Sequence, residues 1–139
     1  MKVDFNNGRN FMAKAYCLLN HQLTDNQMIE LKEKYNISQI IYPTEKLSKK
    51  WVQIPTTENI DMSIIFEIVD WLFDAEKKDV LIIQGEFGST FMVVDYALKH
   101  DLIPLYAVTT RIAQENRDGE IVKRQYIFEH VCFRKYEYY

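Results

Sequence analysis

The chain has 139 residues, of which 47% are hydrophobic and 14% aromatic, which excludes a disordered or low-complexity protein. This length suits one domain with its own hydrophobic core. The formal net charge of −3 and the pI near 5.6 argue against a protein that clamps long DNA or RNA, because that function needs a wide basic face. The net charge does not exclude the binding of a small anionic ligand, because such a ligand needs only a few local donors.

The first residues are polar and charged, and we interpret residues 1–14 as an N-terminal extension that precedes a domain at 15–139. They contain no apolar signal-peptide segment, and the apolar runs of the chain are too short to span a membrane. Cys17 and Cys132 both lie in apolar runs and make neither a disulfide framework nor a zinc cluster. We therefore expect a cytoplasmic protein with two buried, reduced thiols, no membrane contact, no metal site and no cofactor.

Short apolar runs alternate with segments that carry an apolar stripe at helical spacing. In chain order, the pattern predicts a strand at 15–20, a helix from Thr24, a strand at 37–42, a loop at 43–59, a helix at 60–73, a strand at 80–84, a helix capped by Ser89 and a strand at 103–108. Thr24 and Gln27 have the spacing of a capping box. Asp118-Gly119 ahead of the β-rich tail 120–133 predicts a hairpin.

Strands that alternate with helices predict a parallel sheet covered on both faces. The fold class predicted is α/β: a single Rossmann-like domain, with a mostly parallel sheet, helices on both faces and a C-terminal antiparallel hairpin. Ligands of such sheets bind beyond the carboxyl ends of the strands, where the winding reverses. The segments that follow strands one, three and four are therefore the candidate site.

The turn after the third strand is the most informative motif, because two of the four glycines of the chain, Gly85 and Gly88, lie in it. Glycine lets the backbone approach an anion, and the helix that begins at Ser89 offers free N–H groups. The turn lacks the third glycine of a dinucleotide fingerprint and the lysine of a P-loop. It predicts either a phosphate site or only a tight strand-to-helix connection. The candidate ligand-binding residues here are Gln84, Gly85, Glu86, Phe87, Gly88 and Ser89, with Glu86 interpreted as a base or, preferably, a ribose contact.

Asn20 and His21 follow the first strand. His21 is a candidate general acid or base near neutral pH, or a donor to a phosphate, and the alternative is a loop histidine bonded to the backbone. Asn20 beside it is either a catalytic polar group or a turn residue.

Thr109, Thr110 and Arg111 follow the fourth strand. Arg111 is expected either to bind a phosphate through two guanidinium hydrogen bonds or to form a surface ion pair with Glu115. Trp51, which follows two lysines, is expected either to stack on a base or to form a hydrophobic lid. The candidate catalytic residues are His21, Asn20 and Arg111.

His130 lies in the alternating tail, and we expect it to share a face with Phe128, Cys132 and Arg134 in a sheet or subunit contact.

Several short phrases in this order resemble the small stand-alone CRISPR-associated proteins of the Csx type, which are isolated CARF (CRISPR-associated Rossmann fold) domains. The phrases are residues 19–24, Trp51 with Ile54-Pro55, residues 83–88, residues 109–111 and the tail 128–134. The likeness runs from about residue 15 to residue 136.

This resemblance implies a homodimer that binds a cyclic oligoadenylate, most often cyclic tetra-adenylate, across its two-fold axis. Several such proteins are ring nucleases that switch off type III CRISPR signalling. They cleave the ring without a metal, to linear products with a 2′,3′-cyclic phosphate. The sequence leaves two alternatives open: a non-catalytic sponge or sensor for the same messenger, and a Rossmann-like scaffold for another nucleotide.

Overall fold

A computed structural model describes residues 12–139 of the chain. Within that range, strands and helices alternate before a closing pair of strands. The elements are β1 (Ala13–Leu18), α1 (Asp25–Tyr35), β2 (Ile37–Ile41), α2 (Glu45–Val52), α3 (Met62–Trp71), β3 (Val80–Ile83), α4 (Phe87–Lys99), β4 (Ile103–Asp118) and β5 (Ile121–Lys135). Most of the expected N-terminal extension lies outside the described residues, and its last two residues, Ala13 and Lys14, belong to β1.

The strands form one sheet in the order β2-β1-β3-β4-β5. All neighbours are parallel except β4 and β5, which are antiparallel. The predicted fold class, a Rossmann-like α/β sheet with a C-terminal antiparallel pair, is confirmed. Since β2 and β3 flank β1, the winding reverses at β1, and its carboxyl end is the place where such sheets bind ligands.

Both faces of the sheet are buried, which explains why β3 is a continuous apolar run. Leu81 and Ile83 pack with α2, α3 and α4 on one face, whereas Val80 and Ile82 pack with α1 on the other. Cys17 of β1 lies in the second cluster and is 1% exposed. This burial raises the pKa of its thiol to about 12.

The predicted loop at 43–59 is wrong in part, because it contains the helix α2. Thr44 caps this helix by accepting a hydrogen bond from the Leu47 backbone N–H at 3.2 Å. Leu47 and Trp51, one turn apart, are its buried residues, and its other side is rich in lysine. Two inward residues are too few to reveal a helix from the sequence.

The fourth strand is longer than predicted. It continues through residues 109–111, which were expected to follow the end of the strand, and pairs with β5 as far as Asp118 opposite Ile121. Gly119, at φ 64°, forms the tight turn that the sequence predicted. We name residues 109–130 the arm; residues 109–129 are all exposed.

A β-bulge at Val131 marks the base of the arm. Val108 pairs with Cys132 whereas Thr109 pairs with His130, so one residue is extra. The predicted face shared by His130 with Cys132 and Arg134 is therefore wrong. Beyond the bulge the alternation inverts, and the ring of His130 lies 4.8 Å from that of Phe133, which packs toward α1.

Glu30 of α1 fills the gap that the bulge leaves. Its carboxylate accepts hydrogen bonds from Nε2 of His130 at 2.7 Å and from the Phe133 backbone N–H at 2.8 Å. Gln27 directs its amide nitrogen to Nδ1 of His130 at 3.4 Å, while its oxygen accepts from the Thr24 N–H. Since Nδ1 must then be the acceptor, the imidazole proton lies on Nε2, where it faces Glu30.

Candidate functional site

A cavity of about 410 Å³ opens beside the carboxyl ends of β1 and β3. We name it the crevice. Its lining residues are Leu19, Asn20, His21, Trp51, Val52, Ile54, Gln84, Gly85 and Glu86. The structure thus brings the predicted residues Asn20 and His21 together with Gln84, Gly85, Glu86 and Trp51. The other residues predicted after strand three, Phe87, Gly88 and Ser89, do not line the crevice.

Asn20 and His21 are exposed at the rim of the crevice, directly after β1. The Nδ1 atom of His21 lies 2.7 Å from the Gln22 carbonyl oxygen. A carbonyl can only accept, so Nδ1 carries a proton, and in the neutral imidazole the lone pair is then on Nε2. The backbone contact expected of a structural histidine therefore also prepares this side chain to take a proton.

Trp51, which was expected either to stack on a base or to form a hydrophobic lid, is a buried wall of the crevice. Its side chain is 2% exposed and belongs to the core. Its Nε1–H donates to the Gln84 carbonyl at 3.1 Å. A Cβ placed on Gly85 would come within 2.7 Å of the indole carbons, so this position needs glycine because the indole packs against it.

Glu86, not Ser89, is the N-cap of α4, which corrects the predicted cap. Its carboxylate accepts hydrogen bonds from the Gly88 N–H at 2.8 Å, from the Ser89 N–H at 2.9 Å and from the Ser89 hydroxyl at 2.7 Å. The Ser89 hydroxyl first, and then the two N–H groups, lower the pKa of Glu86. The expected ribose or base role of Glu86 is replaced here by helix capping.

This cap changes the expectation that the glycine turn holds a phosphate. The N–H groups expected to hold the anion already bind a carboxylate within the chain. Gly88 has a packing reason as well, since a Cβ there would lie 2.8 Å from Cδ1 of Ile60. An anion in the crevice therefore needs other donors, unless Glu86 rotates away.

Phe87 belongs to a neighbouring cavity of about 390 Å³, which shares Gln84 and Gly85 with the crevice. Its other lining residues are Thr90, Phe91, Val94 and Tyr136. Phe87 and Phe91 are 93% and 74% exposed, so this cavity presents two phenyl rings one helical turn apart. We name it the phenyl cavity.

Thr109, Thr110 and Arg111 lie in the arm and do not line the crevice, contrary to expectation. The guanidinium of Arg111 lies 4.1 Å from the centre of the Tyr126 ring. The alternative pair with Glu115 is also wrong, because Glu115 pairs with Arg124 at 3.5 Å. The described residues that line the crevice thus include one carboxylate and neither lysine nor arginine.

The cluster of Gln27, Glu30 and His130 was missed from the sequence, since the bulge that brings His130 to α1 leaves no local signal. Across residues 12–139, no group of three or more His, Cys, Asp or Glu side chains is placed to hold a metal ion. The same part of the chain contains no helix long and apolar enough to cross a membrane.

Comparisons with known proteins place the chain in one family. The model of the family described as "Uncharacterized protein MJ1673 family" matches residues 13–134, a range that includes both the crevice and the arm. The "Uncharacterized protein MJ1673" of Methanocaldococcus jannaschii is 35% identical over 131 residues, which cover 92% of this chain and 100% of that protein. No solved structure matches the chain. With a family model that spans nearly the whole sheet and this relative over its full length, the chain belongs to the MJ1673 family.

Proposed function

We propose that this protein is a ring nuclease of the CARF type that binds cyclic tetra-adenylate and cleaves it without a metal. The observation that carries the proposal is the position of His21 and Asn20 opposite the Gly85 turn, at the point where the winding of the sheet reverses. The resemblance of residues 19–24 and 83–88 to Csx-type proteins supplies the ligand class. The protein would act in the cytoplasm, as a symmetric homodimer that matches a two-fold ligand.

The reaction needs no nucleophile from the protein. A ribose 2′-oxygen attacks the adjacent phosphorus, the bond from phosphorus to the 5′-oxygen breaks, and the products are a 2′,3′-cyclic phosphate and a 5′-hydroxyl. The proton of the 2′-hydroxyl leaves to a base, and the departing 5′-oxygen takes a proton, so no water is consumed. Nε2 of His21 is the proposed proton acceptor, and the Asn20 amide donates to the phosphate.

A second function, binding without cleavage, is favoured by one observation. The Glu86 carboxylate occupies the donors at the start of α4, so little positive charge in the crevice is available to stabilise a developing negative charge. A protein built in this way could sequester the messenger as a sponge or sensor.

Purified protein mixed with labelled cyclic tetra-adenylate separates these functions. A ring nuclease releases linear products, and His21→Ala should lower the single-turnover rate by about 10²-fold or more, with a smaller effect on affinity. His100→Ala is the matched control, because His100 bonds to the Tyr96 carbonyl at 2.8 Å and lies outside the crevice. Tight binding with an intact ring supports the sponge. The absence of both binding and cleavage would overturn the proposal.

A further inference from the structure

The arm has the composition of an interface. It is a ribbon of two strands, each roughly ten residues and so about 33 Å long, and it is exposed along its whole length to residue 129. A two-stranded hairpin alone is only marginally stable in water. Large apolar side chains are exposed on it nonetheless, namely Ile112, Ile121, Val122, Tyr126, Ile127 and Phe128. Such a ribbon is expected to be covered by another surface.

The charges of the arm identify the kind of partner. They balance at four basic and four acidic residues: Arg111, Arg117, Lys123 and Arg124 against Glu115, Asp118, Glu120 and Glu129. A nucleic-acid ligand would need a net positive surface. A balanced, apolar surface suits a self-complementary contact between two copies of the chain, in which each copy supplies both signs of charge.

The phenyl cavity is a suitable receptor for the arm. It is mainly apolar, and its rings of Phe87 and Phe91 are exposed. On the arm, Phe128 is 65% exposed and lies directly opposite Arg111 in the strand register. Opposite residues of an antiparallel pair lie on the same face about 5 Å apart, so Phe128 seated in the phenyl cavity of a second copy would bring Arg111 beside it.

The crevice lacks the group that this arrangement would deliver. It shares Gln84 and Gly85 with the phenyl cavity, and its lining includes Glu86 but no permanent cation. A phosphate ligand placed there would meet a carboxylate without a compensating charge. The crevice of one chain is therefore incomplete for an anion, a step of the argument that rests on the proposed function.

From these observations we infer that the arm of each protomer packs against the phenyl cavity of a second copy and carries Arg111 to that copy's crevice. Arg111 is then a binding residue that acts between subunits. Its stacking on Tyr126 fixes the guanidinium on the arm surface.

The mass of the protein in solution, measured by light scattering without any ligand, tests the interface. We expect twice the chain mass of 16.6 kDa, and a monomer for Phe128→Asp. The control is Phe73→Asp, a residue as exposed as Phe128 but outside the arm and the phenyl cavity, which should stay dimeric. Circular dichroism verifies that both variants are folded. A monomeric parent, or a dimeric and folded Phe128→Asp, would overturn the inference.

The position of Arg111 is tested by cross-linking, also without ligand. Chains with Asn20→Cys and chains with Arg111→Cys carry different tags, are mixed, and are treated with a short thiol cross-linker. A product that contains both tags shows that residue 111 of one chain meets the crevice of another, whereas its absence in a dimeric sample contradicts the inference. The unsubstituted chain controls for Cys17 and Cys132.

Ligand binding then separates failure of this inference from failure of the proposed function. Arg111→Ala should weaken binding of cyclic tetra-adenylate by about ten- to a hundredfold. Dimers mixed from His21→Ala and Arg111→Ala chains should regain one intact site, because both defects then fall on the same site and the other site keeps His21 and receives an intact Arg111. Cross-links between chains without any binding of the nucleotide would support the proposed arm interface and refute the proposed nuclease function. Mixed dimers that stay as defective as their parents would refute the placement of Arg111 in the crevice of the second copy.

Discussion

At the scale of single residues, Gly85 and Trp51 fix the shape of the crevice. An added Cβ at Gly85 would lie 2.7 Å from two indole carbons, and the indole is held by its hydrogen bond to the Gln84 carbonyl. Gly85→Ala must therefore displace a buried ring. We expect this substitution to lower the free energy of unfolding by about 1–3 kcal/mol, measured by urea denaturation.

A double-mutant cycle with Trp51→Phe checks the cause. Phenylalanine lacks the Nε1 side of the indole that approaches Gly85, so Gly85→Ala should be less damaging in that background. An equal loss of stability in both backgrounds would mean that the indole is not the obstacle.

The sequence identified most of these residues, but it predicted the wrong reason for the two glycines, namely the approach of an anion instead of the packing of neighbouring side chains. Their rarity and their place after a buried strand pointed to the Gly85–Gly88 turn. Their neighbours, Trp51 and Ile60, are distant in the sequence, and only tertiary packing brings them there. Asn20 and His21 were placed because the ends of parallel strands meet at one edge of the sheet.

At the scale of elements, the start of α4 depends on an ionised Glu86. Its pKa lies below the ordinary 4.5, because the Ser89 hydroxyl and the N–H groups of Gly88 and Ser89 bind the charged form. This contribution is complete above the pKa of the unfolded chain and is lost as the pH falls through the folded pKa. Glu86→Gln should therefore reduce the melting temperature at pH 7, and the difference from the parent should shrink below about pH 4.5.

Glu137→Gln, near the C-terminus, is the control for this pH series. The idea fails if the difference between Glu86→Gln and the parent is constant across the acid range, or if the control reproduces it.

The junction between α1 and the arm depends on Glu30, which accepts hydrogen bonds from His130 and from the Phe133 backbone. Glu30→Gln exchanges one of these acceptors for a donor and leaves a partly buried group unsatisfied. We expect a loss of about 1–3 kcal/mol in the free energy of unfolding by urea. Glu33→Gln, an exposed residue of the same helix, should change it by less than about 0.5 kcal/mol. Equal effects of the two substitutions would contradict the role of Glu30.

Two elements were not predicted from the sequence, each for a physical reason. The helix α2 has only Leu47 and Trp51 as inward residues, so its apolar stripe is very short. The first strand of the arm, at 109–118, has a mixed polar composition because neither of its faces packs on the core of its own chain. Hydrophobic periodicity arises when one face of an element is buried, so a ribbon outside the core shows little of it.

At the scale of the whole molecule, the order of elements was enough to predict the sheet. Four buried strands joined through helices require parallel crossovers, and the return of the chain from β2 to β3 across β1 follows from covering both faces. The position of the arm could not follow from the same reasoning, because it depends on the bulge at Val131.

Cleavage of cyclic tetra-adenylate, as proposed, is expected to persist in excess EDTA. The substrate carries its own nucleophile, and the crevice offers Asn20, His21 and Glu86 without the clustered ligands that a divalent ion prefers. Product formation with and without the chelator is the measurement. Activity that disappears in EDTA and returns with Mg²⁺ or Mn²⁺ would show that the mechanism is wrong.

The burial of Cys17 has a kinetic consequence for the whole sheet. With a thiol pKa of about 12, only about one molecule in ten thousand would hold the thiolate at pH 8, even if a reagent could reach it. Cys17 lies in β1 between two neighbouring strands, so alkylation there requires that the centre of the sheet opens. Cys132, which is half-buried beside the bulge, should be alkylated first. The slower alkylation of Cys17, followed over hours without denaturant, would then measure the rate at which the molecule opens globally.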